Sequence, residues 1–245
     1  VVVNPKKLKP YKPVIEKKSL NYKNIIIKIE NLLKKSKKPV LILGGGIKCG
    51  KAELDLLKFL KILKIPIVTT WSGVDLVDYN NQYYIGNVGV YGSRAANFTV
   101  QNSDLIFCLG TRLDTRITGG VPKSFARDAK KIVVDVDRFE LNKKRGLKID
   151  LKVQSHIKKF IQNYLSYQKV IFERDTWLLK CNKWKAKYPV ISKDFFKEKK
   201  YVNPYVLMDK LSKTLNKNDI IIADDGGHLT WTIQSFKIKF GQRLF

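Results

Sequence analysis

A strand followed by a glycine turn and a helix is the feature of this chain that most constrains its fold. The apolar run 40–43 has the character of a buried strand. Directly after it come three glycines, Gly44, Gly45 and Gly46, and then the apolar-periodic segment 52–63, which predicts a helix. Glycines let a backbone approach a ligand closely, and free N–H groups at a helix start attract negative charge. The layout therefore predicts an α/β winding that can seat a phosphate.

Three further apolar runs have the same character and predict strands at 66–71, 104–110 and 131–137. Strands that are apolar throughout and separated by helical spans indicate a parallel sheet covered by helices on both faces. We therefore predict a Rossmann-like α/β fold. After residue 200 a new strand-and-helix unit begins, and because one such unit has no sheet to bury its apolar face, it predicts an incomplete second α/β domain.

These patterns divide the chain into four segments. Residues 1–18 are rich in Lys and Pro, and we expect them to be the end of a preceding domain followed by a linker. Residues 19–168 are the predicted central Rossmann-like domain. Residues 169–200 predict a basic helical connector, and residues 201–245 the truncated start of the second domain.

The net charge of +27 raises the question of a nucleic-acid or membrane partner. Of the 48 basic residues 40 are lysine, and they lie on almost every predicted helix rather than in one stripe. A nucleic-acid site favours arginine interleaved with aromatic residues. No apolar run approaches the ~18 residues that a membrane helix needs. We expect neither nucleic acid nor a membrane as a partner.

The cysteines indicate the compartment. Cys49, Cys108 and Cys181 are odd in number and widely spaced, which is typical of a reducing environment rather than of a disulfide framework. None of them has a Cys or His neighbour at metal-ligand spacing, so the sequence predicts no metal site. We expect a cytoplasmic protein.

A second cluster of polar residues follows the predicted strand 104–110. Gly110, Arg112 and Asp114 lie where the carboxyl edge of the sheet is expected, the edge at which open α/β folds bind ligands. Arg112 or the nearby Arg116 could hold a phosphate bidentately. The alternative is a simple turn pair between Arg112 and Asp114.

Acidic residues end the predicted strand 131–137. Asp135 and Asp137 could accept hydrogen bonds from a ribose or adenine, or could cap the next helix. A nicotinamide dehydrogenase would also need an acid at the end of the strand 66–71, and Asp75 comes four residues late. A plain nicotinamide site is therefore disfavoured. The glycines at 44–46 could instead serve only tight helix–strand packing.

The fourth cluster is the turn formed by Gly226, Gly227 and His228. A glycine pair and a histidine between a strand and a helix suit a diphosphate, which would contact backbone N–H groups and the imidazole. The alternative is a solvated helix cap.

Taken together, the order of these clusters resembles the thiamine-diphosphate-dependent enzymes of the acetolactate synthase type. The resemblance covers most of the chain. Residues from about 20 to about 165 are similar to the central domain of that family, those from about 200 to 245 to the opening of its diphosphate-binding domain, and residues 1–3 to the end of its N-terminal domain. It rests on these stretches: 38–46, 89–92 with 95–97, 103–106, 110–114, and 134–137 with 140–142.

The resemblance implies two cofactor regions. In the flavin-containing relatives the central domain holds FAD, and related members hold ADP or nothing. The positions that match this site are Gly44, Gly45, Gly46, Thr69, Gly110, Arg112, Asp114 and Asp135. The turn that contacts thiamine diphosphate matches Gly226, Gly227 and His228. The departures are Tyr91 in place of a common His, Gln154-Ser155 in place of Asp-Ala, and Gly227 in place of Gln.

The resemblance also implies an activity: a 2-keto acid decarboxylase and carboligase of branched-chain amino acid biosynthesis, active as a homodimer or homotetramer with thiamine diphosphate and Mg²⁺. The activating Glu belongs to the family's N-terminal domain, and the G-D-G…N motif for Mg²⁺ is expected downstream of Phe245, since no Gly-Asp-Gly occurs here. We therefore expect a fragment with no catalytic residue of its own, inactive alone. The alternative is a non-catalytic module that binds ADP, FAD or NAD.

Overall fold

The computed structural model of the protein describes residues 4, 8–9, 20–168, 172 and 174–245. Nearly all of the predicted linker 1–18, together with residues 169–171 and 173 at the start of the predicted connector, lies outside the described residues.

A six-stranded parallel sheet is the centre of the described structure. Its strands are β1 (Pro39–Leu43), β2 (Ile67–Thr69), β3 (Tyr84–Asn87), β4 (Leu105–Leu109), β5 (Lys130–Asp135) and β6 (Leu151–Gln154). The spatial order is β3-β2-β1-β4-β5-β6, and every neighbouring pair is parallel. This is the strand order of Rossmann folds, in which the winding reverses between β1 and β4. The predicted Rossmann-like sheet is confirmed.

Helices cover both faces of this sheet. They are α1 (Tyr22–Lys35), α2 (Gly46–Cys49), α3 (Glu53–Leu63), α4 (Arg94–Gln101), α5 (Thr115–Thr118), α6 (Arg138–Asn142), α7 (Ile157–Tyr167), α8 (Asp175–Lys187), α9 (Pro204–Thr214) and α10 (Gly227–Ser235). Because side chains alternate along a strand, Leu41 and Leu43 pack under α1, α3 and α7, whereas Val40 and Ile42 pack under α4 and α8. Both faces of β1 are therefore buried.

Helix α8 belongs to the core of the second face, although it lies in the predicted connector. Trp177 and Cys181 are one turn apart on the same side of the helix and are buried against the sheet. The Trp177 indole Nε1 donates to the Pro39 carbonyl oxygen at 3.1 Å. This helix therefore covers β1 from the side opposite α1.

The C-terminal residues form a smaller unit that packs on the central sheet. Strands β7 (Ile220–Ile221) and β8 (Arg243–Leu244) pair in parallel. Their apolar side chains and those of α10 share a small core with Val74, which lies in a short helical turn after β2. In the described part of the chain, no helix is both long enough and apolar enough to cross a membrane.

Candidate functional site

The glycine turn after β1 packs directly on the turn after β4. The backbone N–H of Gly44 donates to the Leu109 carbonyl at 2.9 Å, and that of Gly46 donates to the Gly110 carbonyl at 2.9 Å. A Cβ added to Gly44 would lie 2.2 Å from the Gly110 oxygen, and one added to Gly46 would lie 2.8 Å from the Gly110 Cα. The contact between these two turns, which we call the joint, therefore requires glycine at both Gly44 and Gly46, whether or not a ligand binds there.

Gly45 and Gly110 are also closely packed against neighbouring residues. A Cβ on Gly45 would lie 2.6 Å from the Ser72 hydroxyl oxygen. Gly110 has a φ of +60°, in the left-handed region that favours glycine, and faces the Ile47 nitrogen. All four glycines of the predicted nucleotide site thus have a packing role within the protein.

A cleft of about 150 Å³ opens beside this joint. Its walls include Gly46, Gly50, Gly110, Asp135, His156 and Ile157. It lies at the carboxyl ends of β1, β4 and β5, where the winding reverses and where open α/β sheets bind ligands. Whole-ligand pockets measure roughly 300–1,000 Å³, so this cleft has room for one part of a nucleotide.

Asp135 is the acidic residue of the cleft. It is half-buried, and its carboxylate accepts a hydrogen bond from the Asp137 N–H at 2.9 Å. Burial raises the pKa of Asp135, while the Asp137 N–H and the positive charge of Arg112 oppose this shift. Asp137 instead caps α6, because its carboxylate accepts from the Phe139 N–H at 2.7 Å. Arg112 thus lies near enough for its charge to act on Asp135, and the capping role belongs to Asp137.

Two other predicted site residues have their side chains engaged within the protein. Thr69 is fully buried, and its hydroxyl donates to the Asn87 side-chain oxygen at 2.6 Å and lies 3.1 Å from the Tyr84 hydroxyl. Asp114 caps the short helix α5, accepting from the Arg116 N–H at 2.9 Å. Neither residue lines the cleft at Asp135.

His156 lines the cleft, although nothing in the sequence assigned it a role. It precedes α7 as its N-cap residue and is exposed. The signal that could have found it is its position directly after β6, because the carboxyl ends of parallel strands meet at one edge. The strand β6 itself was not predicted.

The C-terminal glycine turn is open to solvent. Gly226 is the N-cap of α10 with a φ of +120°, and Gly227 and His228 form the first turn of that helix. All three residues are exposed, and among the described residues no side chain caps this helix. The first N–H groups of an α-helix have no partner within it, so they are available to an anion.

Comparison with known proteins identifies the family. Residues 26–164 match the family described as thiamine pyrophosphate enzyme, central domain. The chain belongs to this family.

Among the relatives that match this chain, three with known names are acetolactate synthases or probable ones. An acetolactate synthase large subunit of Cyanidium caldarium is 30% identical over 97% of this chain and 41% of its own length. A probable acetolactate synthase large subunit of Methanococcus aeolicus is 30% identical over 87% of this chain and 37% of its own length. The chloroplastic acetolactate synthase 1 of Nicotiana tabacum is 29% identical over 88% of this chain and 32% of its own length. The chain thus spans about two fifths or less of these relatives.

The family resemblance drawn from the sequence is confirmed, and the comparisons lend no support to the alternative of a non-catalytic nucleotide-binding module. The family match covers the central sheet and ends within α7. The turn at Gly226 lies outside that match and inside the alignment with the Cyanidium relative, which covers 97% of the chain.

Asp75 joins the central domain of this family member to the C-terminal unit. Its buried carboxylate lies 2.7 Å from the Lys48 Nζ and 3.3 Å from the Arg243 Nε, and it accepts from the Leu244 N–H at 3.1 Å. The acid that comes too late for a nicotinamide ribose therefore has a structural role. Among the described residues, no group of three or more His, Cys, Asp or Glu side chains could hold a metal ion.

Proposed function

We propose that this chain is part of an acetolactate synthase large subunit, an enzyme that uses thiamine diphosphate to decarboxylate a 2-keto acid such as pyruvate and to join the product to a second keto acid. The observation that carries the proposal is the 30% identity with an acetolactate synthase large subunit over 97% of the chain. The match of residues 26–164 to the central domain of thiamine pyrophosphate enzymes supports it.

In this proposal the cleft beside Gly46 takes the adenosine end of FAD or ADP. Asp135 is half-buried at its edge and could accept hydrogen bonds from ribose hydroxyls, while the exposed Arg112 stands near enough to act on its charge. Val136 and Ile157 supply an apolar wall. The residues present therefore fit an adenine nucleotide. Thr69 and Asp114 would support this edge by holding β2 and α5 rather than by touching the ligand.

The turn at Gly226, Gly227 and His228 would hold the diphosphate of thiamine diphosphate. Its exposed position and the uncapped first turn of α10 fit an anion. When bound, this cofactor supplies a ring that stabilises a carbanion. The chain would position the diphosphate through backbone N–H groups, and Mg²⁺ would be held by residues other than the described ones.

We further propose a cytoplasmic enzyme that assembles as a homodimer or homotetramer and acts on a small 2-keto acid. The free thiols of Cys49, Cys108 and Cys181 support a reducing compartment. Light scattering of the purified polypeptide would test the assembly, and a monomer at micromolar concentration would contradict it.

The activity is tested on the full polypeptide that carries this sequence. Supplied with pyruvate, thiamine diphosphate, Mg²⁺ and FAD, it should form acetolactate, which is measured after acid conversion to acetoin. A polypeptide that binds thiamine diphosphate but neither consumes pyruvate nor forms acetolactate would overturn the proposal.

The nucleotide site is tested separately by titrating the 245-residue chain with FAD and with ADP. Arg112→Ala should weaken binding about tenfold, because a charge-assisted phosphate contact contributes roughly 1.5–3 kcal/mol. The exposed Arg127→Ala is the matched control and should leave binding unchanged. If neither nucleotide binds, the central domain has only a scaffolding role.

A further inference from the structure

A second cavity, of about 170 Å³, lies between β3, the end of α8 and the second half of α10. Its walls include Tyr79, Lys185, Pro189, Ile191, Phe236 and Lys237. The described residues that line it do not line the cleft at Asp135, so the two are separate.

Lys185 is the charged group of this cavity. Its ammonium donates to the Tyr84 carbonyl oxygen at 2.8 Å and lies 4.6 Å from the centre of the Tyr79 ring. Among the described residues it forms no ion pair with a carboxylate. Burial lowers the pKa of Lys185, and the neighbouring Lys237 lowers it further. Lys185 is thus a half-buried cation that has carbonyl and ring contacts but no counter-ion within the described part of the chain.

The second lysine of the cavity wall, Lys237, already has a partner outside the cavity. Its Nζ pairs with the Asp209 carboxylate at 2.6 Å, and the same carboxylate also pairs with Lys213 at 2.6 Å. One carboxylate therefore serves two lysines. None of the described residues that line the cavity is acidic, so the cavity is positively charged.

The rest of the wall is partly apolar and partly polar. Ile85, Pro189, Ile191 and Phe236 are its apolar side chains, and the amide groups of Asn87 and Gln234 donate to backbone carbonyls. The Ser235 hydroxyl donates to the Trp231 carbonyl at 2.6 Å. The ligand that suits one cation beside a partly apolar wall has a single negative charge and a short hydrocarbon part.

We propose that this cavity binds a small carboxylate with a branched or short apolar tail, with Lys185 as its counter-ion. The volume of about 170 Å³ lies below the 300–1,000 Å³ of whole-ligand pockets, so the cavity has room for a small molecule and not for a whole nucleotide. A phosphate would need several converging donors, of the kind that a helix start or a guanidinium supplies, and the Lys185 ammonium beside a partly apolar wall suits it less.

The test is isothermal titration of the 245-residue chain with 3-methylbutanoate, with the neutral 3-methylbutanamide as a shape-matched probe. We expect saturable binding of the acid and at least tenfold weaker binding of the amide. Lys185→Gln should weaken the acid at least tenfold. Lys183→Gln, which removes an exposed charge from the same helix, should change it less than twofold.

A second variant keeps the test decisive if Lys185→Gln fails to fold, as judged by circular dichroism. Val190→Phe adds bulk to the cavity wall without changing its charge and should also abolish binding. The proposal is overturned if the folded wild-type chain shows no saturable binding or if the amide binds as well as the acid. It is equally overturned if inorganic phosphate binds more tightly or if Lys183→Gln weakens binding as much as Lys185→Gln.

The pH dependence gives a further readout. The titratable groups that face Lys185 are Lys237, Tyr79, Tyr84 and Tyr188, and burial raises the pKa of Tyr84 to about 12, so that ring stays neutral. Affinity should fall as the pH rises through the lowered pKa of Lys185, because only the ammonium form attracts the carboxylate. Affinity that stays constant up to pH 10.5, the ordinary pKa of a lysine side chain, would contradict the role of Lys185.

Discussion

The two glycine turns, one after β1 and one before α10, share the order strand, glycine and helix but use glycine for different reasons. In the first, Gly44 and Gly46 let one backbone touch another, and a Cβ on Gly44 would lie 2.2 Å from the Gly110 oxygen. In the second, Gly226 has a φ of +120° and the nearest atom to an added Cβ is 3.4 Å away. The first turn packs against backbone, whereas the second is a solvent-exposed helix start in which a Cβ added to Gly227 would meet the Trp231 ring at 2.9 Å. The distance from each glycine to the backbone that faces it distinguishes these two roles, whereas the glycine pattern in the sequence does not.

The largest expected effect comes from Gly44→Ala. The added Cβ meets backbone atoms that cannot move without displacing β4, so we expect a loss of about 4 kcal/mol in the free energy of unfolding. For a chain of this size that corresponds to a fall in Tm on the order of 10 °C. Thermal unfolding followed by circular dichroism measures it.

The control for this substitution is Gly120→Ala, since nothing lies within 4 Å of a Cβ at Gly120. It should shift the Tm by no more than about 1–2 °C. Equal effects of the two substitutions would show that the contact between the turns after β1 and β4 does not require glycine. The proposed difference between the turn after β1 and the turn before α10 would then be wrong.

Asp75→Asn tests the connection between the two regions. Asp75 pairs with Lys48, which follows the first turn, and with Arg243, which lies in β8 of the C-terminal unit that carries the second. Breaking a buried pair leaves a charge uncompensated and costs about 3–5 kcal/mol, and because Arg243 is partly exposed we expect about 2–3 kcal/mol here.

Its control is Asp194→Asn, which removes an ion pair to Lys197 whose two side chains are 77% and 78% exposed. Exposed pairs contribute little, so the Tm should stay within error. Hydrogen exchange adds a spatial readout: Asp75→Asn should raise exchange in β8 and α10 more than in β4. Uniform exchange would show that Asp75 does not hold the C-terminal unit in particular.

The central strands were predictable from the sequence and the edge strands were not. β1 and β4 are buried along their whole length, since helices cover both faces, and they read as continuous apolar runs. β6 is an edge strand in which only Val153 is buried, and β3 is short and contains Gly86. A half-exposed strand such as β6, or a short strand interrupted by glycine such as β3, lacks the apolar run from which a strand is predicted.

The residues of the candidate site could be predicted only where the strand beside them could be predicted. Gly46, Gly110 and Asp135 meet at one cleft because each lies at the carboxyl end of a strand that was predicted from the sequence. His156 was missed because it follows β6. Thr69 was assigned by resemblance, and only the pairing of β2 with β3 reveals that its hydroxyl is bound to Asn87. The binding roles of the site residues remain predictions.

Gly226→Ala should destabilise less than Gly44→Ala. Its φ of +120° and ψ of −156° lie in a region that is almost exclusive to glycine, where a residue with a Cβ costs about 1–3 kcal/mol. The turn is exposed and can relax, so we expect the lower half of this range. The same thermal unfolding measures it, and a larger loss than for Gly44→Ala would reverse the ranking of the two turns.

Asp135→Asn has the smallest expected effect and depends on pH. Burial raises the pKa of Asp135 above its unfolded value, so the folded chain binds more protons over that interval. The contribution of this carboxyl to stability is therefore fully present below the ordinary carboxyl pKa and is lost as the pH rises through the raised one.

At pH 7 the neutral amide avoids the cost of burying a charge and keeps the oxygen that accepts from the Asp137 N–H. We expect a small rise in Tm for Asp135→Asn at pH 7 that disappears near pH 4, measured by thermal unfolding across that range. If the substitution lowers the Tm at pH 7, the charge of Asp135 stabilises the joint between the turns through Arg112, and the cleft would then be a structural element rather than a place kept for a ligand.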